Sequence, residues 1–331
     1  MVLALVGCSS SRVGADAGVE QDAPLPDAAV DAAPDAGIAV SPRCATSPQV
    51  LWNAEPQQLG GLAIVGDVAY VSRYALDLSA QPIDGVVLAL DRRTGAELAE
   101  VLTGPGYLGV LPTPGGALAT DGTQLWELRP GEAPALRVTG RGRILRATTD
   151  ATHVYWTENS DTESDRVYRQ ARAGGEPSLL MSCDAPWALT VANGWVYCNT
   201  SQQVVYTTVT GGSPGAASAS GLPVVTLVVE GTDLYAQQLM GALLRIPLQG
   251  GATEVVRPGV TTSRTAGLTL TPTHGYTTGT AAKVFDRATL AETLVDDMQS
   301  YGDPILVDDE LYLISSVPTV GGATRVLRCV D

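Results

Sequence analysis

The sequence predicts an all-β protein: a seven-bladed β-propeller of four-stranded antiparallel blades, closed by an N-terminal strand that completes the last blade. Three observations carry this expectation. The composition favours strand and turn, with 36 Gly and 21 Pro and few of the Glu, Lys and Gln residues that fill helix surfaces. No window after residue 44 sustains a 3.6-residue apolar period, whereas short alternating runs broken by Gly, Pro, Asn or Asp continue to the end. One segment also returns about every forty residues, the mark of a repeat architecture.

The repeating segment is an apolar strand, a tight polar turn and a second strand carrying an aromatic or a leucine. It appears as LAIVGDVAYV, VLPTPGGALA, ATTDATHVYW, LTVANGWVYC, LVVEGTDLYA, LTLTPTHGYT and ILVDDELYLI. Its markers are Tyr70, Leu118, Tyr155, Tyr197, Tyr235, Tyr276 and Tyr312, spaced by 48, 37, 42, 38, 41 and 36 residues. A third strand follows each, as in VYRQARAGGEP, VYTTVTGGSP and LRIPLQGGAT, where Gly174-Gly175, Gly211-Gly212 and Gly250-Gly251 suit the positive φ of a tight hairpin. A fourth strand completes a unit of blade size, and seven such units fill residues 44–331. The last repeat ends at its third strand, near 325–330, so residues 47–52 are expected to supply its outer strand.

Ahead of this body lie two further segments, 1–8 and 9–43. The apolar run Met1 to Gly7 ends in Leu5-Val6-Gly7-Cys8 and is followed by Ser9-Ser10-Ser11. This resembles a bacterial lipoprotein signal, in which the small residue before Cys8 permits cleavage and the Cys8 thiol takes the lipid. Ser after the lipid cysteine resembles the pattern of lipoproteins sent to the outer membrane. No basic residue precedes the apolar run, so the true start is expected upstream. Residues 9–43, a Pro, Ala, Asp and Gly mixture with six acids, two bases and no aromatic, read as a disordered tether reaching at most about 115 Å.

The segment Tyr155-Trp156-Thr157-Glu158 resembles the YWTD repeat of bacterial and receptor propellers, with Glu158 in place of the last Asp. The whole body resembles TolB-like periplasmic propellers more loosely. These resemblances imply a binding platform, with no cofactor and no chemistry.

Five cysteines less the lipidated Cys8 leave four, and in an exported protein these are expected as disulfides. Three pairings exist; closure of a ring at its termini favours Cys44 with Cys329 and Cys183 with Cys198.

The function classes narrow further. A net charge of −15 repels phosphate backbones, and Arg141, Arg143 and Arg146 form too short a basic cluster to override it, which excludes nucleic acid as a partner. There are two histidines, His153 and His274, in hairpins of separate repeats, and neither has the context of a catalytic triad or a zinc site. The acidic loop Glu158, Asp161, Glu163 and Asp165 is a weak candidate for calcium and reads first as a solvated loop.

In a propeller, the second-to-third-strand loops and the inter-blade loops open on one face. The former are expected to be long at 73–85, 157–166 and 315–325. The candidate binding face comprises Arg73, Tyr107, Arg143, Trp187, Arg264, Tyr301 and Asp303, since aromatics and arginines on loops are common anchors of recognition. The expected protein is a monomeric, lipid-anchored envelope module that binds a protein, peptide or glycan and touches the membrane only through its lipid. A propeller lyase or hydrolase with a metal and carboxylates at the channel mouth is the alternative.

Overall fold

The computed structural model describes residues 48–330 apart from 55–56, 78, 115, 141, 160–164, 185, 201–202, 219–222, 260–264, 298 and 317–323. Seven four-stranded antiparallel sheets form a closed ring, and no helix occurs among the described residues. Blades 1 to 6 occupy residues 58–104, 109–139, 143–182, 189–218, 224–257 and 265–296. Blade 7 combines residues 299–329 with Gln49–Asn53. The first strand of each blade is a sheet edge and touches the first strands of both neighbouring blades. These seven strands therefore surround the central channel.

The ring closes as the repeat pattern requires. Gln49–Asn53 pairs antiparallel with Thr324–Cys329, Gln49 opposite Arg328 and Asn53 opposite Arg325. The N-terminal strand thus supplies the outer strand that the last repeat lacks.

The core is divided among seven seams, one between each pair of blades, and the marker residues explain why they recur. Tyr70 packs into the seam between blades 1 and 2, Leu118 between 2 and 3, and Tyr155 between 3 and 4. Tyr197 lies between 4 and 5, Tyr235 between 5 and 6, and Tyr276 between 6 and 7. Tyr312 fills the closing seam against blade 1. All seven are buried, so each repeat places one bulky second-strand side chain against the next blade. Truncating one would cost about 3–5 kcal/mol by analogy with other buried aromatics. Burial pushes the phenols of Tyr70 and Tyr197 up to about 12, while Tyr155 and Tyr312 donate to Asp150 and Glu310 respectively.

A second device repeats on the rim opposite the second-to-third-strand loops. The residue just after the third strand donates its backbone N–H to the first turn of its own blade at Arg92, Arg172, Val209, Leu248 and Arg287. Where it is arginine, its side chain reaches back to an acid of the preceding blade. Arg92 meets Asp308 at 2.9 Å, Arg172 meets Glu127, and Arg287 holds Glu230 through two bonds of 2.6 and 2.8 Å. Where it is Val209 or Leu248, it packs against the seam cluster instead. Burial pushes Glu127 up, but Arg172, Arg129 and Arg137 outweigh it and hold the carboxyl below its usual range.

The expected long loop at 73–85 is largely strand. Val68–Leu76 and Pro82–Asp91 stay paired out to Leu76 opposite Pro82. The tip turns because the Asp77 carboxylate accepts the N–H groups of Ser79 at 2.8 Å and Gln81 at 2.9 Å. Much of the loops expected at 157–166 and 315–325 lies outside the described residues.

Cys183 and Cys198 form a disulfide. It links the segment leaving blade 3 to the second strand of blade 4, within their shared seam. Constraining a loop of separation 15 is worth about 3 kcal/mol in the chain-entropy model. Cys329 is buried and disulfide-bonded; Cys44, its expected partner, lies outside the described residues. Non-reducing peptide mass mapping is expected to recover a fragment joining Cys44 to Cys329 that disappears on reduction. Free thiols at both positions would refute that pairing.

Candidate binding face at the channel mouth

The two loop classes expected to share a face do so. Gly140 N–H donates to Thr123 O at 2.7 Å, Cys183 N–H to Asp165 O at 2.8 Å and Leu239 N–H to Pro223 O at 2.9 Å. Each bond joins an inter-blade segment to a second-to-third-strand connection.

This rim is held from beneath by polar side chains. Two residues after the marker stand Ser72, Thr120, Thr157, Asn199, Gln237 and Thr278, all buried. Thr157 Oγ1 accepts the N–H of Arg146 at 3.1 Å. Asn199 Oδ1 accepts the N–H groups of Trp187 at 2.9 Å and Ala188 at 2.6 Å, while its Nδ2 donates to Val224 O at 3.0 Å. Buried polar groups need partners, and for Thr120, Thr157, Asn199, Gln237 and Thr278 the partners are backbone groups on this side of the ring; the Ser72 hydroxyl has none among the described residues.

Five of the seven first strands carry a bulge near their entry, at Gly60, Leu145, Val225, Ala266 and 302–304. Bulges re-aim side chains. The widest sets Gly302-Asp303-Pro304 opposite the single residue Leu313. Asp303 Oδ1 accepts Thr226 Oγ1–H at 3.0 Å from blade 5 and Leu268 N–H at 3.2 Å from blade 6. The bulge fits because residue 267 is glycine. A Cβ there would stand 2.3 Å from Gly302 O and 2.5 Å from Asp303 Cα.

The residues of the expected face occupy different places in the ring. Tyr107 and Trp187 sit on inter-blade segments and are 39% and 46% exposed. Arg143 begins the first strand of blade 3, and Asp303 belongs to the first strand of blade 7, not to a loop. Tyr107 Oη donates to Gly60 O at 2.9 Å, and its ring meets Tyr74 edge-on at 5.3 Å. Arg146 Nε donates to Trp187 O at 2.6 Å, a contact that the sequence did not indicate. Arg73 lies on the second strand of blade 1, beside Tyr74, with its Nε buried. Tyr301 contributes backbone to the first strand of blade 7; its side chain, like the whole of Arg264, lies outside the described residues.

One field links the group. Burial pushes the Tyr107 phenol up, with Tyr74 adding and Arg146 and Arg143 opposing. Asp303 is solvent-exposed and is held between blades 5 and 6 by its bonds to Thr226 and Leu268. Desolvation pushes its carboxyl above the usual carboxylate range, against the Leu268 N–H, the Thr226 hydroxyl and Arg146. Arg146 and Asp303 lie on the first strands of blades 3 and 7, the strands that surround the channel.

The acidic loop is thinner as a site. Glu158 is buried and accepts the Trp156 indole N–H at 2.7 Å. Asp165 is buried and accepts Asn159 Nδ2–H at 2.8 Å. Asp161 and Glu163 lie outside the described residues, and among the described residues no group of three or more His, Cys, Asp or Glu converges for a metal. The YWTE tetrapeptide is thus built into the seams and the rim. His153 and His274 open the second strands of separate blades, beside Thr152 and Thr273.

No protein-family model matches the chain, and no curated protein matches it. Solved propellers do. BamB from Moraxella catarrhalis is 14% identical with a TM-score of 0.53, over 82% of this chain and 85% of that one. The WD40 β-propeller domain of Doa1 is 14% identical with a TM-score of 0.61, over 85% and 97%. YCF48 from Cyanidioschyzon merolae is 9% identical with a TM-score of 0.60, over 86% and 99%. At such identities the likeness concerns the fold alone.

The Asp303 environment sets a pH signature. A carboxyl whose folded pKa is raised binds more protons folded than unfolded, so its stability contribution falls as pH rises through that window. Asp303→Asn, which keeps the acceptor and removes the charge, is expected to raise the melting midpoint at pH 7, with the gain shrinking towards pH 4. A midpoint at pH 7 equal to or below the parent's would contradict this assignment.

Proposed function

We propose that this protein is a lipid-anchored, exported propeller that acts as a non-catalytic binding module for a protein, peptide or glycan of the cell envelope. The observation that carries the reading is the pair of exposed aromatics, Tyr107 and Trp187, standing with Arg143 and Arg146 on the rim where the connections open. Large rings and guanidinium groups at the centre of a concave rim are the side chains that dominate binding energy elsewhere. The lipobox ending at Cys8 and the acidic tether 9–43 support attachment at a distance from a membrane, and Ser9 supports the outer membrane as its address. Membership of a YWTD or TolB-like group rests on Tyr155-Trp156-Thr157-Glu158 and on the seven-fold strand pattern.

Two measurements test this. Cys8→Ala is expected to move the protein from the membrane to the soluble fraction, and continued retention would refute lipid anchoring. In pull-downs from envelope extract, the full chain is expected to enrich a partner that the Tyr107→Ala/Trp187→Ala variant fails to enrich at an unchanged melting midpoint. Equal enrichment by both would remove this face from the binding role.

A further inference from the structure

Basic side chains in this acidic chain are mostly matched to acids. Among the described residues, eleven arginine and lysine side chains lie within 4.0 Å of a carboxylate. Arg143 and Arg146 are exceptions, and both stand at the channel mouth on the first strand of blade 3, flanking the Leu145 bulge. Arg143 is exposed, its backbone is paired with Asn159, and its side chain makes no hydrogen bond or ion pair with the described residues. Arg146 is fixed by two backbone carbonyls, Trp187 O at 2.6 Å and Leu145 O at 3.0 Å. Carbonyls orient a guanidinium without neutralising it. The acid that Arg146 feels across the channel, Asp303, already has its Oδ1 engaged by Thr226 and Leu268.

We propose that Arg143 and Arg146 form a receptor for the carboxylates of an acidic, extended peptide segment of a partner protein. The inference rests on the binding-module reading and names its ligand chemistry. Guanidinium groups bind carboxylates in paired hydrogen bonds, and two of them three residues apart suit acids spaced along a strand. The peptide is favoured over an acidic sugar by the register. The Leu145 bulge sets Arg143 opposite Asn159 and Arg146 opposite Thr157, two register steps apart, which is the spacing of alternate side chains along an extended chain. The overall charge of −15 does not forbid an acidic ligand. Distant surface charges are screened beyond about 8 Å at physiological salt, and the two nearby arginines govern the contact.

The test is anisotropy of a fluorescent poly-glutamate peptide titrated with the detergent-solubilised full chain, beside a glutamine-substituted counterpart and oligogalacturonate. Poly-glutamate is expected to bind, and to bind more weakly as salt is raised. Arg143→Gln/Arg146→Gln should weaken it by about tenfold or more, and Arg93→Gln, on the opposite rim, should not change it. If Arg146→Gln lowers the melting midpoint, Arg143→Gln alone decides, since the Arg143 side chain makes no bond within the described residues. Equal binding of the glutamine peptide, unchanged affinity in the arginine variants, or binding of oligogalacturonate without poly-glutamate would each overturn the proposal. Capture from extract that survives the arginine substitutions but is lost in Tyr107→Ala/Trp187→Ala would leave the binding module standing and remove only its acidic ligand.

Discussion

A ring of sheets is stable only when its last seam forms. Each blade here buries apolar surface against two neighbours, so an open ring would leave two faces wet. Closure falls on the seam where Tyr312, Ile314 and Val326 of blade 7 meet Leu62, Val71 and Leu90 of blade 1. It cannot be completed by either end of the chain alone, because blade 7 is built from residues 299–329 together with Gln49–Asn53. The N-terminal strand also touches blade 1 directly. Trp52 Nε1 donates to Glu97 at 3.2 Å, and Leu51 O lies 1.9 Å from where a Cβ on Gly95 would stand. With φ at +72°, Gly95 is the residue type that both the backbone and the approach demand.

The seams share a logic without sharing residues. The position after the third strand is arginine at three seams and valine or leucine at two, yet its backbone bond is the same throughout. Backbone geometry sets the position, and either chemistry then bridges the gap. A buried arginine such as Arg92 requires an acid, since one left unpaired would cost several kcal/mol; Asp308 meets that need, and Glu127 and Glu230 do the same for the half-buried Arg172 and Arg287. An aliphatic residue requires only neighbours. Degeneracy of this kind explains how a regular fold can arise from repeats with so little identity to one another.

It also explains what the sequence discloses. The markers were legible because a seam needs a bulky side chain at one phase, and that phase survives even where Leu118 replaces tyrosine. The closing strand was legible by subtraction, since the last repeat lacked an outer strand. The arginine bridges were not, although Asp91-Arg92-Arg93-Thr94 and Asp286-Arg287-Ala288-Thr289 repeat one turn, in which the aspartate carboxylate accepts the N–H groups two and three residues on. The buried polar residues two after six of the seven markers were nearly as periodic, but their types vary from Ser72 to Asn199 and Gln237, and Ile314 takes the seventh place, which hides them from a search for one residue. Tyr107, Arg143, Trp187 and Asp303 were found as residue types in the right stretches. That Asp303 sits in a strand bulge was not legible, because a bulge is visible only once the partner's register is known.

The mouth therefore inherits its shape from the ring. Asp303 joins the first strands of blades 5, 6 and 7, and Asn199 ties Trp187 to blade 5. Arg146 ties blade 3 back to Trp187. A change in any one blade's position would move these bonds together, so the face cannot deform locally without loosening the closed body. Because backbone carbonyls, rather than acids, hold Arg146, rigidity is gained without cancelling its charge. The same carboxylates that neutralise arginine elsewhere in this chain would have silenced it here.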